Sequence, residues 1–102
     1  MTDARVQHTI IKKEMGITHR EFYAKLPVLL GDTPYHRAEQ SIRFERNGKA
    51  IEITLEAEGF REISRSIRLP VTPVRICFFD SSKAEINSFI EHFNLSFLKG
   101  GG

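Results

Sequence analysis

Side chains that could do acid–base, metal or nucleophilic chemistry are few in this chain and far apart. The histidines are His8, His19, His36 and His92. No two of them have metal-ligand spacing, and His36-x-x-Glu39, the nearest to such a motif, is common by chance. Cys77 is the only cysteine, and no base with an orienting group accompanies it or any serine. We therefore predict no metal, no cofactor and no catalytic residue.

The polar segment 32–40 is the one place where a small pocket is expected. It brings an acid, a phenol, an imidazole and a guanidinium close together along the chain: Asp32, Tyr35, His36 and Arg37. The same residues, with Pro34, have the composition of an ordinary turn. A ligand or enzyme site at 32–37 is therefore the third of four functional hypotheses.

The clearest structural signal is Asn47-Gly48, a pair that readily adopts the two positive φ angles of a type I′ turn. It predicts a β-hairpin over 41–55 in which Arg43 lies opposite Glu52. One face of this hairpin is apolar, with Ile42, Phe44, Ile51, Ile53 and Leu55. A slip of one residue would turn all five outward, so the register is well specified.

Two helices are predicted by the S/T-x-x-E spacing of a capping box. The first begins after Thr18 and ends before Gly31, with Pro27 expected to kink it or to end its regular part. The second begins after Ser82 and runs to about Leu98. Its apolar stripe, at spacings of three and four, is Ile86, Phe89, Ile90, Phe93 and Phe97.

The remaining predicted strands cover 6–15, 60–69 and 74–79. Two prolines predict a turn at 69–73, because a central strand does not accommodate residues without an N–H. Another turn is predicted at 56–59. The alternation of polar and apolar residues is lost after residue 60, which predicts a β-bulge near Glu62 or a snorkelling Arg65 at a sheet edge.

The predicted order is β-α-β-β-β-β-α, a single α+β domain over 1–102 with a frayed end at Gly100–Gly102. Both helices are expected on one face of a curved antiparallel sheet, which leaves the other face open. The single cysteine, the absence of an apolar N-terminal run and the absence of an apolar stretch of about 18 residues favour a cytoplasmic protein without a membrane partner. The net charge of +2 is too small to imply nucleic acid by itself.

The open face is the leading candidate for function. Its predicted interaction residues are Arg43, Glu52, Thr54, Arg68, Arg75 and Phe79. Acidic and basic groups alternate there between strands, which suits a homodimer or a charged protein partner, with Cys77 and Phe79 as an apolar anchor. The sequence therefore favours a non-enzymatic binding or protein-interaction module.

Two other functions stay open. A nucleic-acid-associated protein, the second hypothesis, would use Arg61, Arg65, Arg68 and Arg75. Acidic residues are mixed among these arginines, and only Phe79 is available to stack on a base, so a nucleic-acid partner is disfavoured. A carrier protein activated at a Gly-Gly end, the fourth hypothesis, would need a β-β-α-β-β order, and the terminal glycines also suit a helix cap.

Two segments carry a resemblance to a known family: Phe89-x-x-x-Phe93-x-x-x-Phe97-x-x-Gly100-Gly101-Gly102 and Arg65-x-x-x-Leu69-Pro70. They resemble small uncharacterised bacterial proteins over the last third of the chain, and this resemblance implies no activity. The predicted element order and one-sided helix packing resemble half of the TATA-box-binding-protein fold. That likeness is one of topology, so it transfers no functional residue.

Overall fold

The computed structural model describes residues 8–98, which form an antiparallel sheet with two helices on one face. The elements are β1 His8–Met15, α1 His19–Leu30, β2 Tyr35–Arg37, β3 Ser41–Arg46, β4 Lys49–Leu55, β5 Gly59–Ser64, β6 Ile67–Phe79 and α2 Lys83–Ser96. Across the sheet the order is β1-β6-β4-β3-β2, and β5 pairs with the first part of β6. The α+β class and the one-sided packing are confirmed, with β2 as an additional strand. The predicted start of the first strand at 6–7 and the terminal glycines lie outside the described residues.

The hairpin of β3 and β4 has the predicted register, with Arg43 opposite Glu52. Asn47 and Gly48 have φ angles of 56° and 75°, the two positive values that a type I′ turn requires. The five apolar side chains of its inner face lie under the helices, and none is more than 4% exposed. The hairpin is therefore confirmed in both turn and register.

Both predicted capping boxes are present. The Thr18 hydroxyl accepts from the Glu21 N–H while the Glu21 carboxylate accepts from the Thr18 N–H, and Ser82 and Glu85 repeat the arrangement. Each box satisfies two backbone donors that a helix start leaves unpaired. α1 continues through Pro27 to its C-terminal end, so the proline does not end the helix.

The core lies between the helices and the sheet and is rich in phenylalanine. Phe22, Phe78, Phe89 and Phe93 are each at most 1% exposed. The Phe93 ring lies 4.7 Å from that of Phe97 and 6.2 Å from that of Phe89, centroid to centroid. The stripe predicted for the second helix is therefore the side that packs on the sheet.

The path of the chain differs from the prediction after β4. The chain does not turn at 56–59, because the Glu56 N–H donates to the Pro73 carbonyl at 2.9 Å and β5 continues along the same strand, β6. β4 and β5 thus together form one side of a long hairpin, and β6 forms the other. The turn of this hairpin lies at Arg65–Ser66. A register shift after Glu62 confirms the predicted β-bulge.

The predicted turn at 69–73 is wrong, because β6 runs through both of its prolines. The N–H and C=O of a residue in an antiparallel strand point to the same side. The Pro73 carbonyl points toward Glu56, so the N–H that proline lacks would point there too. Glu56 lies in the gap between β4 and β5. Pro70 has the opposite orientation, toward a side on which residues 8–98 provide no strand beside it. The two prolines lie where the ladder is already interrupted or open.

Candidate functional site

The residues of the predicted 32–37 pocket do not converge on one site. Along β2, His36 faces the open side of the sheet while Tyr35 and Arg37 face the helix side. The Arg37 guanidinium carbon lies 3.7 Å from the centroid of the Tyr23 ring of α1, a cation–π contact. Asp32 is exposed in the loop before β2.

A groove of about 550 Å³ runs along β2 and takes in part of this segment. Its lining residues are Thr33, Pro34, Tyr35, His36, Arg43, Phe44, Glu45 and Ala50. None of the polar side chains among them is buried, so water screens their charges. The groove is a surface depression at the β2 edge of the sheet, lined by residues from both faces.

Two of the histidines hold the backbone together. The Nε2 atom of His92 lies 3.1 Å from the Leu29 carbonyl, which ties α2 to the end of α1. The Nε2 atom of His19 lies 2.7 Å from the Glu56 carbonyl, the acceptor opposite Pro73. Because Pro73 has no N–H to donate, the His19 ring supplies the missing donor. That role fixes a proton on Nε2 of His19.

The Cys77 thiol is in a poor position for nucleophilic chemistry. Burial, and then the negative charge of Glu52, raise the pKa of the Cys77 thiol above its ordinary value. A thiol protonated at neutral pH is a weak nucleophile and a weak metal ligand. Across residues 8–98, no group of three histidine, cysteine, aspartate or glutamate side chains is placed to hold a metal ion.

Five of the six predicted interaction residues share the open face. They are Arg43, Glu52, Thr54, Arg75 and Phe79. Arg75 bonds to the Glu56 carboxylate at 3.0 Å, and the Arg43 guanidinium carbon lies 4.9 Å from the centroid of the Phe79 ring. Exposed pairs of this kind contribute only about 0–1 kcal/mol. This part of the sheet is a solvated surface of mixed charge.

Arg68, the sixth predicted residue, lies away from that group. It is in the part of β6 that pairs with β5, opposite Glu62, and its guanidinium carbon lies 5.0 Å from the centroid of the Phe60 ring. Since β6 is one continuous strand, Arg68 and Arg75 lie on opposite sides of it.

Four of the nine large apolar side chains that are exposed among residues 8–98 lie close together on residues 59–71, which we call the arm. The arm is a two-stranded hairpin, and no residue from 59 to 69 is buried. Four large apolar side chains of the arm are 48 to 62% exposed: Phe60, Ile63, Ile67 and Leu69. The molecule measures 58 Å along its longest axis and 26 and 25 Å across, as expected if the arm projects from a compact body.

The base of the arm is fixed to the body. The backbone N–H of His19 donates to the Glu58 carboxylate at 2.7 Å, beside the contact of its ring. Arg61 donates to the Glu14 carboxylate of β1 at 2.7 Å. The buried Thr72 hydroxyl donates to a carbonyl between β1 and α1, also at 2.7 Å. The arm is thus anchored at its base, and its tip extends beyond these contacts.

The two sides of the arm differ. The side that continues the open face carries Ile67, Leu69 and Val71. Arg61 is opposite Leu69, so the two side chains lie on the same side of the arm. Arg61 donates to Glu14 on the exposed side of β1, which places this side of the arm next to the open face. The other side carries Phe60 with the Arg68 guanidinium over its ring.

The arm also holds the net charge of the chain. Of the 15 basic and 13 acidic residues, three arginines and one glutamate lie within 59–71, so the rest of the chain has 12 of each. Arg61 is paired with Glu14 and Arg68 is opposite Glu62. Arg65, in the turn at the tip, has no hydrogen bond or ion pair within the described part of the chain.

The sequence does not reveal the arm, because it predicts a turn at the two prolines where β6 continues. The available signal was the loss of alternation after residue 60, where apolar side chains occur on both sides of a strand. A strand that packs on a core has them on one side.

Comparisons of the chain with protein-family models, with curated proteins and with solved structures find no match. No helix within residues 8–98 has the length and apolar character needed to cross a membrane. Function is therefore inferred from the geometry of the chain itself.

Proposed function

We propose that this chain is a non-enzymatic protein-interaction module whose docking element is the arm. One observation carries the proposal: four large apolar side chains are about half exposed or more within ten residues, on a hairpin that buries nothing from 59 to 69. Clusters of exposed apolar side chains mark interaction sites. A two-stranded hairpin is marginally stable in water by itself, so a bound partner would also stabilise the arm.

Docking is expected through side chains rather than through strand edges. The outer strand β1 carries Lys12 and the partly buried Lys13, and the β6 edge of the arm carries Pro70. The β5 edge is bent by the bulge after Glu62. Charges, prolines and bulges are the devices by which edge strands avoid pairing with other chains. The apolar side chains of the arm have no such protection.

The state of the arginines favours a protein over a nucleic acid. Binding to phosphates requires several free basic groups, whereas Arg61 and Arg68 each face a carboxylate and leave Arg65 as the free cation of the arm. The tip, Ser64–Ser66, is polar and charged, so inserting it into lipid would bury an arginine at high cost. Nucleic-acid association remains the second hypothesis.

The exposed side chains set the scale of the interaction. Completing the burial of four half-exposed apolar side chains contributes about 1 kcal/mol each, half of the transfer value for a whole side chain, or about 4 kcal/mol together. Association itself costs about 4–15 kcal/mol. The partner must therefore add contacts to these four, such as ion pairs with Arg65 or apolar surface of its own.

Site-specific photo-crosslinking in the native cell tests this proposal. A photoreactive amino acid at position 69 should give a discrete crosslinked protein species. The matched control is position 28 on α1, where Val28 is 62% exposed, and it should give none. Crosslinks at 28 but not at 69 would place the docking surface on the helices and contradict the proposal.

A further inference from the structure

We infer that the partner of the arm is the arm of a second copy of this chain, in a two-fold dimer with its axis beside Leu69. This inference rests on the proposed function, since it needs the arm to be the docking element. It follows from two kinds of self-complementarity along β6, one apolar and one charged.

The apolar complementarity lies at the centre. Ile67, Leu69 and Val71 share the side of the arm that continues the open face. If two arms stack face to face about a two-fold axis perpendicular to their strands, their β6 strands run in opposite directions. Leu69 then meets Leu69 of the second copy, and Ile67 meets Val71 of the second copy. Such an isologous contact closes on itself and forms a dimer rather than a fibre.

The charged complementarity lies at equal distances on either side. Arg65 precedes Leu69 by four residues, and Pro73 follows it by four. Pro73 is flanked by Glu14, its pairing partner on β1, and by Glu56, which is hydrogen-bonded to its carbonyl. The two-fold axis therefore brings the free Arg65 of each copy over two carboxylates of the other.

Both carboxylates retain capacity for this contact. Glu14 accepts from Arg61 through Oε1, and Glu56 is paired with Arg75 through Oε2. Each carboxylate has a second oxygen and several acceptor sites. Arg65 of the second copy would add one positive charge to the group of Glu14, Glu56, Arg61 and Arg75. In return, the unpaired positive charge at the tip of each arm would lie next to carboxylates.

The elongated shape favours this arrangement over packing of the whole open face. An antiparallel overlap of two arms leaves the two bodies at opposite ends. Packing the whole face would bury charged groups such as Lys12, Arg43 and Glu52, and burying charges without good pairing is costly. On this side of the arm, by contrast, the charged group beside the apolar row is Arg61, which is opposite Leu69 and already paired with Glu14.

Sedimentation equilibrium of the purified full-length chain tests the inference. We expect a reversible monomer–dimer equilibrium in the micromolar range. Leu69→Asp should give a monomer, whereas the matched variant Phe60→Asp, on the other side of the arm, should still dimerise. Arg65→Glu should weaken dimerisation about tenfold and reduce its dependence on salt. Circular dichroism melts establish that each variant is folded.

Thiol crosslinking gives a second measurement that does not depend on disrupting the interface. In a Cys77→Ser background, Leu69→Cys should form a covalent dimer with a short bismaleimide at low micromolar concentration, because position 69 faces itself across the roughly 10 Å that separates packed sheets. Phe60→Cys should not.

A chain that sediments as a monomer at every concentration would overturn the inference, as would equal loss of dimer in Leu69→Asp and Phe60→Asp. If the chain is monomeric but position 69 crosslinks to another protein in the cell, the second copy is excluded while the arm remains the docking element. If neither association nor arm crosslinks occur, both proposals fail.

Discussion

His19→Ala should destabilise the protein through the carbonyl of Glu56. In an unbroken ladder that carbonyl would accept from the residue opposite, but Pro73 has no N–H, and the His19 ring donates instead at 2.7 Å. Glu56 is exposed, so water replaces part of the lost bond. We therefore expect a loss of about 1 kcal/mol in the free energy of unfolding, the net value of a typical hydrogen bond.

A double-mutant cycle with Pro73→Ala isolates this interaction. Pro73→Ala restores an N–H opposite Glu56, so the cost of His19→Ala should fall by about 0.5 kcal/mol or more in that background. The effect of the proline on the unfolded chain cancels in the cycle. Urea unfolding supplies the free energies, with His36→Ala as a control at an exposed histidine that has no hydrogen bond within residues 8–98. Zero coupling, or an equal cost for His36→Ala, would refute the compensation of Pro73 by His19.

Four further outcomes are expected. Phe93→Ala should cost about 3–5 kcal/mol by leaving a cavity, and a loss below about 1 kcal/mol in denaturant melts would mean that the ring does not lie in the core. Thr18→Ala should cost about 1 kcal/mol, and an unchanged urea midpoint would contradict the capping box. The Lys49 ammonium, and then the Ser82 N–H, lower the pKa of Glu85, while the Glu85 carboxylate raises the pKa of Lys49. The stability from this pair should therefore be lost as pH falls through the lowered pKa of Glu85 and as pH rises through the raised pKa of Lys49, and Lys49→Met should flatten both limbs of a plot of urea midpoint against pH. Generic DNA or RNA should not bind more tightly than about 10⁻⁴ M at physiological salt, and micromolar binding with a steep salt dependence in a fluorescence titration would reverse the ranking of partners.

The elements that the sequence predicted correctly are those defined by near neighbours. The turn at Asn47-Gly48 and the two capping boxes each depend on residues at most three positions apart, and all are present. Strand alternation likewise separated the core side of the hairpin from its open side. Local chemistry alone determines these features.

The path from 56 to 73 could not be predicted in this way. Proline is disfavoured inside a strand because its missing N–H leaves an acceptor unpaired. Here the unpaired acceptor, the Glu56 carbonyl, is satisfied by His19, which is 37 residues away in sequence. A contact so distant gives no local signal. The same misplacement of the turn put Arg68 on the open face and concealed the arm.

Chemical labelling of the arm inside the cell tests most directly whether a partner covers it. In a Cys77→Ser background, Leu69→Cys and the control Val28→Cys are treated with a membrane-permeable maleimide, both in intact cells and as dilute purified protein. Docking through the arm predicts that position 69 is protected in cells and labelled in dilute solution, while position 28 is labelled equally in both. Equal labelling of position 69 in both settings would show that the arm is uncovered in the cell and would contradict its role as the docking element.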